Sequence, residues 1–175
     1  MGVQRRQHDD GVDFVVDRWR RYPGLHIYHY APYEPSTLKR LMGRYASRED
    51  EIDSMLRAGL FVDLYGVVRQ GLRASVERYS IKDLEIFYGF TRDIDLREAS
   101  TSKHAFEQLM ALRRLDQASQ EMKDDVETYN RDDCVSTLKL RDWLEQLRDE
   151  AQSRGISVLR PQQTTPEPPS SEDEE

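Results

Sequence analysis

The chain has 175 residues, of which 37% are hydrophobic and 34% are charged. Its apolar runs stay well short of the ~20 residues that cross a bilayer, and Met1 to Asp10 lack the apolar core of a secretory signal. A single cysteine, Cys134, excludes a disulfide framework and a multi-cysteine zinc site. We therefore expect one cytoplasmic domain without a membrane partner.

The net charge of −7 is concentrated in the C-terminal residues 161–175. They carry five carboxylates and neither Lys nor Arg, which leaves −2 for residues 1–160. They also hold four of the seven prolines and no aliphatic or aromatic residue. This composition predicts a disordered acidic tail, rich in Pro and Ser, over residues 153–175. Because the charge belongs mainly to the tail, it does not exclude nucleic acid as a partner.

The first elements alternate between helix and strand. A polar segment, residues 1–10, ends in the candidate helix caps Asp9 and Asp10. Apolar side chains at helical spacing over residues 12–19 predict the first helix. A run of residues with high β-propensity over residues 25–30 predicts the first strand.

The next elements are bounded by residues typical of helix ends. Pro35 suits the first turn of a second helix, and Gly59 ends a short third one. The mostly apolar run LFVDLY, residues 60–65, predicts a second strand that leads directly into a helix. Ser80, followed three residues later by an Asp, resembles a capping box for a helix that stops at Gly89.

Two longer helices are predicted near residues 102–115 and 119–150. Strand, helix and strand followed by several helices is typical of an α/β domain with a small, partly parallel sheet. Because an isolated pair of strands is only marginally stable, we expect further strands before residue 1.

The last predicted helix has a carboxylate within its apolar stripe. Alternating steps of four and three residues define this stripe, which consists of Met122, Val126, Tyr129, Asp133, Ser136, Leu140, Trp143 and Leu147. A buried carboxylate needs a cation, a metal ion or several hydrogen-bond donors, so Asp133 is a candidate site residue. Tyr129 lies one turn earlier on the same face. The alternative is that the helix rotates there and Asp133 faces water.

A second candidate lies in YHYAPYEPSTLKRL, residues 28–41, where an aromatic-rich turn follows the first predicted strand. Glu34 stands at or just before the start of the next helix. The helix dipole favours a carboxylate at this position. Glu34 is therefore either a functional residue or an N-cap.

Together these segments resemble the DEDD exonucleases. Y-H-Y-A-P-Y-E, residues 28–34, resembles their second motif, and Y-N-R-D-D, residues 129–133, matches the Y-x-x-x-D form of their third motif. Between them, FVDLYGVVRQ and YSIKDLEIFYGF resemble the intervening strand and helix of the family. The resemblance covers roughly residues 10–150 and indicates the YprB-like RNase H-like domain of putative RecB-like nucleases.

The resemblance implies an RNase H-like three-layer α/β/α fold over residues 11–152, with a helix-rich C-terminal half. The first motif of the family is D-x-E on an N-terminal strand. The sequence has this pattern at residues 83–85 and 125–127, but both lie in predicted helices and come too late in the chain, so the motif is absent. We therefore expect this domain to lack the N-terminal strands that carry the motif.

The resemblance also implies a metal-dependent 3′-5′ exonuclease. In that family carboxylates hold two Mg²⁺ or Mn²⁺ ions and a tyrosine positions the attacking water. Glu34 and Asp133 are then the implied metal ligands, and Tyr129 is the implied water-positioning residue. Asp132, three residues after Tyr129, is predicted to fall off the stripe, so we assign the role to Asp133.

Three further residues are assigned to the surroundings of this site. Tyr30 and Tyr33 are candidates for stacking on nucleic-acid bases. Asp63, at the end of a predicted strand, is a secondary candidate, with a structural or capping role as the alternative.

The implied partners are single-stranded DNA and RecB-like nuclease or helicase regions, in the context of DNA repair. Because the D-x-E motif is absent, we expect poor nuclease activity from this chain alone. The alternative function is a catalytically inactive RNase H-like fragment that serves as a nucleic-acid or protein interaction module.

Overall fold

Helices dominate the chain, and two short strands lie in its first half. The computed structural model describes residues 2–160, and the side chains of residues 5–160. The elements follow in the order α1 (Gly2–Arg21), β1 (Ile27–His29), α2 (Tyr33–Tyr45), α3 (Glu49–Arg57), β2 (Phe61–Asp63), α4 (Leu64–Gly71), α5 (Ile81–Leu84), α6 (Leu96–Ala111) and α7 (Gln120–Ser153). The predicted tail lies outside the described residues from residue 161 onward.

The contacts within the chain define two compact units. The first unit contains the described residues up to Leu72 and those from Ala151 onward. The second unit is Arg73–Glu150.

The core of the first unit lies between α1 and α3. Val12 and Val16 of α1 are buried against Ile52 and Met55 of α3, and Leu60 completes this contact. Partly buried side chains from α2, including Leu38 and Met42, pack around it. Removal of this apolar surface from water stabilises the three-helix arrangement.

The two strands form the parallel sheet that the sequence predicts. Ile27 pairs with Phe61 and His29 with Asp63. A tight helix end precedes β2, because Gly59 has a φ of 65° and the N–H of Leu60 donates to the carbonyl of Met55 at 3.2 Å. This αL end is the stop that a glycine permits at low cost, so the predicted end of the third helix at Gly59 is confirmed.

Helix α1 starts earlier than predicted. It begins at Gly2, so Asp9 and Asp10 lie inside it, and the prediction that they cap its start is wrong. Asp9 instead lies 3.7 Å from Arg5, one turn before it. Such i,i+4 ion pairs stabilise a helix, so the polar residues before the apolar stripe can also be helical.

The second unit has a small core and well-defined helix starts. Leu84, Ala99, Ala118 and Leu140 are its buried apolar residues. At the start of α5 the hydroxyl of Ser80 accepts from the N–H of Asp83 at 3.2 Å and donates to its carboxylate at 2.8 Å. Ser80 is therefore confirmed as the N-cap of α5, while the Asp83 carboxylate bonds the Ser80 hydroxyl and not its backbone N–H.

Helix α6 also begins before its predicted position near residue 102. Its first residue is Leu96, and the carboxylate of Asp95 accepts hydrogen bonds from the N–H groups of Arg97 and Glu98. Asp95 is thus an N-cap. The described residues are mostly helical and contain one two-stranded parallel sheet, and the three-layer arrangement stays a prediction.

Candidate functional site

In the first unit, Asp63 holds the ends of the two strands together. Its Oδ1 atom accepts hydrogen bonds from the N–H of Ala31, just after β1, and from the N–H of Tyr65 in α4, each at 3.0 Å. The second bond makes Asp63 the N-cap of α4. The capping alternative is confirmed, while a role of Asp63 in a functional site stays a prediction.

The two candidate stacking residues near β1 differ in exposure. Tyr30 is half-buried and packs edge-to-face on Tyr65, with 5.5 Å between the ring centroids. The guanidinium of Arg69 covers the ring of Tyr65 at 5.7 Å. Tyr33 is 67% exposed, and stacking of either ring on a base stays a prediction.

Glu34 is exposed in the first turn of α2. The N-cap residue of this helix is Pro32, and no side chain caps it. The alternative that Glu34 is the N-cap is therefore wrong, although the helix dipole still favours its carboxylate.

In the second unit, three cationic side chains surround the ring of Tyr129. The Nζ atom of Lys82 lies 5.1 Å from the ring centroid and donates to the Tyr129 hydroxyl at 3.2 Å. The Nζ atom of Lys103 lies 5.4 Å from the centroid, and the guanidinium carbon of Arg92 lies at 5.7 Å. We call these four residues the Tyr129 cluster.

Arg92 connects this cluster to two carboxylates. Its Nη2 and Nε atoms donate to Oε1 and Oε2 of Glu85 at 2.6 and 3.2 Å, which is a bidentate pair. Its Nη1 atom donates to Oδ1 of Asp133 at 2.8 Å. Burial alone lowers the pKa of Arg92, but the hydrogen bonds to Glu85 and Asp133 outweigh it and raise that pKa. The guanidinium therefore stays charged.

The network continues into the core of the unit. The buried hydroxyl of Ser136 donates to Oε1 of Glu85 at 2.9 Å and lies 2.9 Å from the hydroxyl of Tyr88. The hydroxyl of Tyr88 also lies within hydrogen-bond distance of the carbonyl of Ile81, at 3.2 Å. Burial, opposed by the hydrogen bond with Ser136, raises the pKa of Tyr88 to about 12.

The two neighbouring carboxylates of α7 have exchanged their predicted environments. Asp132 is 3% exposed and accepts a hydrogen bond from the N–H of Asp93 at 2.9 Å. The side chain of Asp133 is 40% exposed. The prediction that Asp132 falls off the buried stripe is wrong, because Asp132, Ser136 and Leu140 form one buried i,i+4 line on α7.

The structure thus brings some of the predicted site residues together. Tyr129 and Asp133 both contact Arg92 in the second unit. Tyr30, Tyr33, Glu34 and Asp63 belong to the first unit.

Sequence reasoning missed the side chains that surround Tyr129 and Asp133, namely Lys82, Glu85, Arg92 and Lys103. One available signal was the small polar Ser136 within an apolar stripe, which requires a buried partner. That partner is Glu85.

A comparison with protein-family models matches residues 2–145 to the RNase H superfamily. The chain belongs to this superfamily. No curated protein and no solved structure gave a significant match. Membership of the RNase H superfamily indicates a nuclease-like function related to nucleic acids. No helix among the described residues is long and apolar enough to cross a membrane.

RNase H-like domains generally use divalent metal ions, which carboxylates hold. Within residues 5–160, no three His, Cys, Asp or Glu side chains are grouped in a way that holds a metal ion. Oδ1 of Asp133 is engaged by Arg92 at 2.8 Å. Mg²⁺ requires several oxygen ligands in octahedral array. The described residues therefore do not provide a binding site for a divalent metal ion.

Proposed function

We propose that this RNase H superfamily member binds single-stranded nucleic acid, preferably DNA, through the Tyr129 cluster. The observation that carries the proposal is the group of three cations around the ring of Tyr129. Single-stranded nucleic acids are bound by cationic surfaces that contain aromatic rings, since phosphates need positive charge and bases stack on flat side chains.

The exposed ammonium groups of the cluster support an anionic ligand. Lys82, Arg92 and Lys103 contribute three positive charges, and the adjoining Glu85, Asp133 and Glu107 contribute three negative ones, with Glu107 Oε1 4.0 Å from Lys103 Nζ. The side chain of Arg92 is only 6% exposed, so it contributes positive charge without direct contact to a ligand at the surface. Lys82 is exposed and the Lys103 side chain is 44% exposed, and these two ammonium groups are accessible to phosphates.

The test is the binding of a fluorescein-labelled single-stranded DNA, followed by fluorescence anisotropy in EDTA. We expect Lys82→Gln and Lys103→Gln each to weaken binding about fivefold at low salt, because each removes a phosphate contact and its counterion release. Each change should also lower the slope of log K against log[salt] by about one unit.

The matched control is Lys123→Gln, which removes an exposed lysine from the same unit but outside the cluster. It makes the same charge change, so it measures the contribution of net charge alone. An equal effect of all three substitutions, or no effect of any, would refute the proposed interface. A parallel titration with RNA of the same sequence tests the preference for DNA.

A second candidate function is metal-dependent 3′-5′ hydrolysis of phosphodiester bonds, of the DEDD type. One observation favours it: Tyr129 and Asp133, which match the Y-x-x-x-D motif, lie one turn apart on α7. Under this candidate Asp133 is a metal ligand and Tyr129 acts on water, while Glu34, which belongs to the first unit, stays a predicted ligand. The ligand set of the described residues is insufficient for it, so it also requires carboxylates from elsewhere.

This candidate predicts degradation of 3′-labelled single-stranded DNA in Mg²⁺ or Mn²⁺ that Asp133→Asn abolishes. The control is Asp142→Asn, which neutralises an exposed carboxylate of the same helix and should leave the rate unchanged. Degradation that is indifferent to Asp133→Asn would eliminate Asp133 from the active site. Comparison of 3′- and 5′-labelled substrates reports the polarity.

We propose a biological setting as well: membership of the YprB-like group, a cytoplasmic location, and RecB-like nuclease or helicase regions as partners in DNA repair. The ordered set of motifs from residue 28 to Asp133 supports the YprB-like part of this proposal.

A further inference from the structure

We propose that Arg92 takes the place of a divalent metal ion beside Asp133. Arg92 then forms ion pairs with both Glu85 and Asp133. The Tyr129 cluster contacts phosphates without a metal ion. This inference goes beyond the proposed function, since it concerns the ion that neutralises the carboxylates.

The first step of the argument is that the guanidinium has no free donor nitrogen. Nε and Nη2 donate to Glu85, and Nη1 donates to Asp133. The side chain is 6% exposed, so the charge is held away from water. Its bidentate geometry matches the planar fork of an arginine and cannot be reproduced by a lysine.

The second step concerns the carboxylate oxygens. Oε1 of Glu85 accepts from Arg92 at 2.6 Å and from Ser136 at 2.9 Å, while Oε2 accepts from Arg92 at 3.2 Å. Oδ1 of Asp133 accepts from Arg92 at 2.8 Å. A divalent ion at these oxygens has to displace the guanidinium from three hydrogen bonds, each of them charge-assisted.

The third step is electrostatic. The ammonium groups of Lys82 and Lys103 lie close to the same Tyr129 ring that Arg92 contacts. A metal ion added beside Asp133 would place a second positive charge next to Arg92, which contacts both this carboxylate and the Tyr129 ring, and like charges repel one another.

The experiment is a calorimetric titration of the protein with Mn²⁺ alone, combined with thermal melts. We expect Asp133→Asn to leave Mn²⁺ binding unchanged and to lower the Tm by a few degrees, because Arg92 loses a carboxylate partner. The control Asp142→Asn changes a pair in which the carboxylate is 52% exposed, and it should lower the Tm much less.

Two results would overturn the inference. One is Mn²⁺ binding by the unmodified protein that Asp133→Asn abolishes, and the other is a Tm that Asp133→Asn does not change. A second variant, Arg92→Gln, should acquire Mn²⁺-dependent stabilisation that the unmodified protein lacks. If this variant does not fold, the Asp133→Asn comparison still decides.

Failure of this inference is distinguishable from failure of the proposed function. The DNA titrations of Lys82→Gln and Lys103→Gln are made in EDTA, so their outcome does not depend on a metal. If Mn²⁺ binds at Asp133, this residue is a metal ligand as the second candidate function requires, and that result is independent of the DNA titrations.

Discussion

Tyr88 carries a phenol whose pKa burial raises to about 12, and the unfolded value is near 10. The folded state therefore favours the protonated form. The stabilisation from this group is complete below pH 10 and is lost as the pH rises toward 12, because the unfolded chain releases its proton first.

We predict that Tyr88→Phe lowers the free energy of unfolding by about 1 kcal/mol at pH 8, since it removes the hydrogen bonds with Ser136 and Ile81. The difference between the unmodified protein and the variant should shrink between pH 10 and 12. Urea denaturation followed by circular dichroism at several pH values measures it. The control is Tyr22→Phe at a side chain that is 59% exposed. A difference that stays constant up to pH 12 would show that burial does not perturb Tyr88.

At the scale of the elements, the sequence predicted some helix ends well, where a local rule applies. Gly59 ends α3 by the αL rule, and Ser80 starts α5 as its N-cap. Asp95 starts α6 by the same chemistry, but its signal went unused because no apolar stripe begins there.

The candidate site was predictable only within one helix. The i,i+4 spacing of Tyr129 and Asp133 placed both near one neighbour. Periodicity defines the orientation of a helix to about one residue, so it could not decide between Asp132 and Asp133. Arg92 lies 41 residues from Asp133 in sequence, and no local pattern predicts a contact at that separation.

At the scale of the whole molecule, charge is distributed unevenly along the chain. Residues 161–175 account for −5 of the net −7. A charged segment attached to a binding protein changes the local potential that an approaching polyanion meets. We therefore expect the negative charge of residues 161–175 to oppose the binding of the proposed nucleic-acid ligand.

We predict that deletion of residues 161–175 strengthens the binding of single-stranded DNA by about twofold to fivefold at low salt, because it removes five negative charges. The gain should largely disappear at about 0.15 M salt, where the Debye length falls to ~8 Å. Fluorescence anisotropy over a salt series measures both effects. The matched control keeps the tail but replaces its five acidic residues, Glu167, Glu172, Asp173, Glu174 and Glu175, with the corresponding amides. If neutralisation leaves the affinity unchanged while deletion raises it, repulsion is not the cause. If the two variants gain affinity equally, the tail acts through its charge alone.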